Sequence, residues 1–432
     1  MRATVLLSLV VSVFAATTST KHHGHTGHHT SSTTAVTKTK TTAAVRTTTT
    51  TTAAVQTTTN ATAAVVPQTT TTTTTTVATS AAVKTALATT TIASIINTSG
   101  ACVVSSYAGF ASCASSTKIL IQGPFTVPAE NVINLSLKSG ATVILSGTVT
   151  FAKSTTLTGN DHLLTVTGSG ITFESDPSNQ GILYGNGQLY WDGKGANGGV
   201  NKPKFVSIRT TGSTFKGIKV INSPVHCFSI GGSSNLIDGI TFDNSAGASL
   251  GHNTDGFDVS GTDITVQNSW VHNQDDCLAI NNANGVNFLN NICIGGHGAS
   301  VGSVQSGAVV ENVYIQNITI ADSDNGVRVK TVYGATSGLV SNITYQDITL
   351  SNIAKFGVVV RQDYLNGGPT GKAAGQLPIK GLTLKNVHGS VTGQSVFILC
   401  ATGECSEFNF SEIAVAPVKA SCSGISPAPT GC

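Results

Sequence analysis

Charged side chains make up only 10% of the 432 residues and aromatic ones 6%, with a single methionine and two tryptophans. Glycine, by contrast, occurs 46 times. Such a chain is poorly equipped for long helices and well suited to many short strands joined by tight turns. Acid is missing altogether from residues 1–100, which carry six bases (Arg2, Lys21, Lys38, Lys40, Arg46 and Lys84). The formal charge of +3 is set by that segment, because 23 − 6 leaves 17 bases against 20 acids, about −3, for the remainder. A nucleic-acid reader needs a basic body with clustered Arg and Lys, which this chain lacks. No uninterrupted apolar run reaches the about 18 residues of a membrane-spanning helix, so no membrane partner is expected.

What is present begins with a secretory pattern. Over Met1–Ala16, Arg2 supplies the positive start, Val5–Phe14 a short apolar run and Val13-Phe14-Ala15 a cleavage site. Residues 17–100 are low-complexity Thr, Ala and Val, with runs such as Thr69–Thr76 that cannot bury a core. In a secreted chain this composition predicts an O-glycosylated, disordered stalk. His22, His23, His25, His28 and His29 cluster there without an acid or cysteine to complete a defined metal site, so neither metal nor other cofactor is expected. Asn60, Asn97 and Asn134 each open an N-glycan acceptor triplet. A single ordered domain is predicted over 101–432.

Nine cysteines fit an oxidising compartment. Short separations suggest the bridges Cys102–Cys113, Cys277–Cys293, Cys400–Cys405 and Cys422–Cys432, although sequence alone leaves the connectivity open. Cys227 is left over, and its apolar surroundings read as a buried strand thiol.

From about Cys102 the chain repeats an apolar–x–apolar–x–Asn template. Copies start at Ile218, Ile240, Ile264, Val286, Val313, Ile343 and Leu382, the last residue being Asp347 in the sixth. The period-2 pattern buries one strand face, and asparagine tolerates the left-handed turn that must follow. The first intervals are 22, 24, 22 and 27 residues and the last two lengthen to 30 and 39; the shorter ones suit one coil of a parallel β-helix, with coils about 4.8 Å apart and an asparagine ladder running up the stack. A leucine-rich repeat would need more leucine at the template positions. A sandwich gives no reason for the asparagine register.

Four polar clusters ride on this repeat: Asn253-Thr254-Asp255, Asp275-Asp276, Gly296-His297-Gly298 and Arg328-Val329-Lys330. The intervals 276 − 255 and 297 − 276 are both 21, which predicts a column of functional groups on successive coils. Strict alternation would turn Asp276 into the core with Leu278 and Ile280, and an unpaired buried carboxylate is costly. Asp275 and Asp276 are therefore placed on a turn ahead of the strand. Clustered carboxylates, a histidine and two cations suggest hydrolysis of an anionic sugar chain, one acid protonating the glycosidic oxygen while another activates water. Asp258, Asp263 and Asp243 are read as structural.

In these clusters the chain resembles the polygalacturonases of glycoside hydrolase family 28, from about Cys102 to Cys432, with Trp191-Asp192-Gly193 and Gln362-Asp363-Tyr364 in support. The resemblance implies an all-β, right-handed parallel β-helix and inverting hydrolysis of α-1,4 bonds in polygalacturonate by a monomer. It further implies that Asp276 is the general acid, that Asp255 and Asp275 position and deprotonate water, and that His297 shares or tunes the acid's proton. Asn253, Arg328, Lys330 and Tyr364 would bind substrate. Val329 and Ala299 depart from the commoner, larger residues of the pattern. Rival readings are an exo-acting or rhamnogalacturonan hydrolase on the same fold and a non-catalytic wall-binding protein. The last has no need of three clustered aspartates.

Overall fold

The computed structural model describes residues 96–432. The expected signal sequence and stalk up to residue 95, with the histidine cluster and Asn60, lie outside the described residues. From Cys102 the chain winds into a parallel β-helix, strand pairing with strand one coil on. The coils turn right-handed, the hand that strand twist favours for parallel crossovers.

Three sheets line the stack. The first contains Lys204–Thr211, Phe228–Ser233, Phe257–Val259, Leu278–Ile280, Ala299–Val304, Asn325–Val332 and Phe356–Tyr364 in successive coils. The second contains Leu236–Asp238, Thr262–Gln267 and Ala283–Leu289. The third contains Lys219–Ile221, Thr241–Asp243, Trp270–His272 and Ile292–Ile294. Further on, second and third sheets run together in the bent strands Val309–Ala321, Leu339–Ile353 and Ile379–Val391. Asn317, Asp347 and Asn386, at φ of 55°, 56° and 54°, make the bend within each. A left-handed residue redirects the chain there at little cost only because its short polar side chain can bond locally.

Those side chains form the expected ladder. Asn317 Nδ2 donates to Asn290 Oδ1 at 2.8 Å, Asn290 Nδ2 to Asn268 Oδ1 at 3.3 Å, and Asn268 Nδ2 to Asp238 Oδ1 at 2.8 Å. A second ladder joins Asn342, Asn312 and Asn284. The two ladder asparagines in glycan triplets, Asn317 and Asn342, thus have their amide nitrogens engaged.

The first two template copies belong elsewhere. Lys219 and Thr241 register with Trp270 in the third sheet, whereas Thr265 registers with Asn287 and Tyr314 in the second. Asn244 is correspondingly not left-handed, with φ of −110°, and its Oδ1 accepts the Ser223 amide at 2.7 Å as a clip between coils. Any half-buried strand shows the same alternation, so the template identifies strands without identifying their sheet.

Inside, residues of equal register stack on one another. Phe228, Phe257, Leu278, Ala299 and Val327 form one such column, all buried, with Phe228 and Phe257 rings 5.5 Å apart and stacked. Each large member contributes about 1.5–3 kcal/mol. Disulfides join Cys102–Cys113, Cys277–Cys293, Cys400–Cys405 and Cys422–Cys432. Cys227 is free and buried, on the residue ahead of Phe228–Ser233.

Asn290, at φ of 55°, both donates and accepts in the ladder. Asn290→Ala should cost about 2–3 kcal/mol, losing hydrogen bonds and straining the backbone. Asn290→Gly should cost about 1 kcal/mol less, because glycine keeps the turn. Denaturant unfolding of both variants checks this, and equal losses would refute the conformational part.

Candidate active site

The turns that feed the first sheet carry the chemistry. Because Phe257, Leu278 and Ala299 are register partners, the residues two positions ahead of them, Asp255, Asp276 and His297, occupy equivalent places one coil apart. The interval of 21 is therefore one coil. The column extends further than the repeated interval suggests: His226 stands two ahead of Phe228 and Asn325 two ahead of Val327. Arg328 and Lys330 lie on the next coil but within the strand. Arg328 registers with Ser300, which registers with Ala279 and, through it, with Asp258.

Asp275 and Asp276 do sit on a turn ahead of Leu278–Ile280. Buried Asn273 shapes it by donating to the carbonyls of Thr254 at 2.8 Å and Asp276 at 3.0 Å. The Asp276 amide donates to Asp275 Oδ1 at 2.8 Å, and Cys277, next in sequence, is tied to Cys293. Asp276 escapes the apolar core yet is only 2% exposed. Lys330 Nζ lies 2.6 Å from its Oδ2, Arg328 Nη1 3.0 Å from its Oδ1, and Ser300 Oγ donates to Oδ1 at 2.8 Å. The two cations therefore clasp a protein carboxylate, while the face of Tyr364 covers them at 5.0 Å from Lys330 and 5.9 Å from Arg328.

His297 stands within 4.8 Å of Asp276 but bonds other carboxylates. Its Nδ1 meets Asp275 Oδ1 at 2.9 Å and its Nε2 approaches Asp324 at 3.5 Å, so its direct carboxylate partners are these and not Asp276. Burial opposes the imidazolium, but the hydrogen bond to Asp275 and the charges of Asp275 and Asp276 raise its pKa above the usual histidine value. Burial likewise disfavours charge on Asp275, but His297 and then Lys330 hold its carboxyl well below the usual range. Asn253 Nδ2 donates to Asp275 Oδ2 at 3.1 Å. Asp255 is the contrast: burial first, and then the charge of Asp275, push its carboxyl well above the usual range. Its Oδ1 is buried without a hydrogen-bond partner.

These groups line a cleft of about 890 Å³, which also includes His226, Asp258 and Arg361. The two supporting motifs build loops at its edges. Asp192 accepts from the Val200 amide at 2.7 Å and pairs with Lys202 at 2.8 Å. Asp363, fully buried, takes Arg361 Nε at 2.6 Å and the Gly371 amide at 2.9 Å. One loop precedes the floor strand Lys204–Thr211 and the other follows Phe356–Tyr364, so they rise on opposite sides of the first sheet. Asn366 Nδ2 donates to Asn197 Oδ1 at 2.6 Å and bridges the cleft between them.

Two clusters, His226/Asp255/Asp258 and Asp275/Asp276/His297, bring ligand-type atoms within 4.8 Å of one another. In the second, a metal would compete with Arg328 and Lys330 for Asp276. His226, Asp258 and Ser300 are the site residues that sequence reasoning missed. His226 could have been found by counting back from the Phe228 copy of the strand. The longer turn between Asn244 and Asp255 makes its interval 255 − 226 = 29 and conceals it.

Breaking the clasp on one side should be destabilising. Lys330→Met is expected to cost about 2–4 kcal/mol, since Asp276 stays buried with less compensation. Adding Asp276→Asn should recover at least about 1 kcal/mol of that loss. Guanidinium unfolding of the double-mutant cycle measures the coupling, and strict additivity would contradict it.

The model of "Glycosyl hydrolases family 28" matches residues 113–432. A polygalacturonase of Cochliobolus carbonum is 48% identical over 319 residues, covering 72% of this chain and 86% of that relative. An endo-polygalacturonase of Sclerotinia sclerotiorum is 49% identical over 300 residues, 67% of this chain and 76% of that one. Among solved structures, endopolygalacturonase I of Stereum purpureum, complexed with two galacturonate, superposes with a TM-score of 0.64 at 39% identity. That match covers 74% of this chain and 98% of the other.

Proposed function

Since the chain belongs to family 28 of the glycosyl hydrolases, we propose that it is a secreted endo-polygalacturonase that cleaves α-1,4-galacturonosidic bonds of pectate. Secretion rests on the Met1–Ala16 pattern and the four disulfides. One observation carries the substrate class. Arg328 and Lys330 converge on the Asp276 carboxylate under Tyr364, an arrangement suited to exchanging one carboxylate for another.

Substrate uronate groups are the competing carboxylates. As one draws Arg328 and Lys330 toward itself, Asp276 loses the cations that favour its charge while keeping Asp255 and Asp275 as neighbours. Freed from that clasp, Asp276 in its protonated form acts as the general acid. Asp275, held ionised by His297, accepts a proton from the water that it and Asp255 orient. In a single displacement the water oxygen bonds to the anomeric carbon, the bond to the leaving sugar breaks, and the leaving oxygen takes the Asp276 proton. Such a displacement inverts configuration, the general stereochemistry of the family. Asn253 secures Asp275 and the loop bearing Asn197 at once.

Asp276→Asn should lower kcat at least about 10³-fold, while polygalacturonate binding is retained or tightened, because Arg328 and Lys330 are no longer held by a protein carboxylate, and the unfolding midpoint falls, because two largely buried cations lose their counter-charge. Following viscosity and reducing ends together on polygalacturonic acid tests the activity, with a viscosity fall early relative to bond cleavage expected of endo attack. Retained full activity in Asp276→Asn would sink the mechanism.

The cleft bridge predicts a second effect. A long chain must part the Asn366–Asn197 contact or pass beneath it. Asn366→Ala should therefore lower KM for the polymer without changing it for a short oligomer, and should reduce the number of cuts made per encounter. Product profiles at early time points would read this. Identical profiles would show that the contact does not gate entry.

A further inference from the structure

His226 is built into the site but has no part in the reaction described so far. It occupies the same register place as Asp255, Asp276 and His297, one coil ahead of Asp255. Its Nδ1 lies 2.6 Å from Asp258 Oδ2 and 3.9 Å from Asp255 Oδ1, and its side chain is 23% exposed to the cleft. The other cations around the centre are committed elsewhere. Arg328 and Lys330 pair with Asp276, His297 with Asp275 and Asp324, and Lys355 with Asp324. Among the described residues, His226 is the cation placed at ion-pair distance from Asp255.

We infer that His226 is a positioning residue for hydrolysis: fixed as an imidazolium by Asp258, it supplies the counter-charge that favours the carboxylate form of Asp255 beside the attacking water. The inference rests on the hydrolase reading above. Asp255 needs such a partner because it is buried, its Oδ1 receives no hydrogen bond, and Asp275, Asp258 and Asp276 repel its charge. The surrounding charges agree in sign. Burial works against the imidazolium, but Asp255 and Asp258 raise its pKa to about 9 despite the opposing charge of Lys204. On the preceding coils, His162 has its own pKa lowered to about 4, by burial and then by Lys204, Arg209 and His226. Burial pushes the adjacent Cys227 thiol up, so it stays neutral. His226 is thus the charged member of its group at mildly acidic pH. Asp258, first read as structural, becomes its anchor.

The sign of the effect follows. Removing the imidazolium raises the Asp255 pKa, so the carboxylate is lost at a higher pH as the solution is acidified. His226→Gln should move the acid limb of kcat/KM on polygalacturonic acid upward by about one pH unit or more, the scale of one nearby opposite charge. His226→Lys should bring the limb back toward wild type. An unmoved limb in His226→Gln, or a Lys variant that behaves like Gln, overturns the inference. Should His226→Gln fail to fold, the imidazole titration of the wild type decides in its place. An imidazole ¹⁵N titration of the free protein, without substrate, should find His226 still protonated at about pH 7 and less so in Asp258→Asn. A neutral His226 at that pH refutes the inference. Failure of the wild type to cut polygalacturonate refutes the substrate reading instead.

Discussion

Main-chain hydrogen bonding between parallel coils is the constraint on which everything else depends. It converts a place in the sequence into a place on a line, because a residue and its register partner are displaced by one coil, about 4.8 Å. Phe228, Phe257, Leu278, Ala299 and Val327 become a packed column for that reason. The residues two ahead of them become a polar column on the cleft side of the same turns. Core and site are two readings of one register, so neither can slip without the other.

The charge arrangement in the cleft follows from this spacing. Groups one coil apart are close enough to act on one another but belong to different turns, each with its own scaffold. Asp276 is clasped by Arg328 and Lys330, Asp275 by His297, and Asp258 by His226. Asp255 is left with the longest contact and the strongest upward pressure on its pKa. Carboxylates in near-identical positions thereby acquire different proton affinities, which acid–base hydrolysis requires.

Specificity rests on what rises around the floor. Asp192 and Asp363 spend their charge on loop backbones and neighbouring cations, and the loops they hold meet through Asn197 and Asn366. Arg328 and Lys330 are not waiting free: Tyr364 covers them and Asp276 occupies them. Under the proposed function, binding an anionic chain becomes an exchange of partners that couples recognition to Asp276.

Much of this was legible in the sequence by itself. Alternating apolar residues closed by asparagine declared the strands and their left-handed turns, and Asn268, Asn290 and Asn317 do form the ladder. Equal intervals put Asp255, Asp276 and His297 on consecutive coils, because a repeat without insertions keeps its period. Where a turn lengthens, the period is lost, and His226 and the sheet assignment of Ile218–Asn222 and Ile240–Asn244 went with it. Pairings among charges were beyond reach for a different reason. Arg328 and His297 each choose a carboxylate by where a long or rotatable side chain finds space across coils, which only the packed tertiary structure decides.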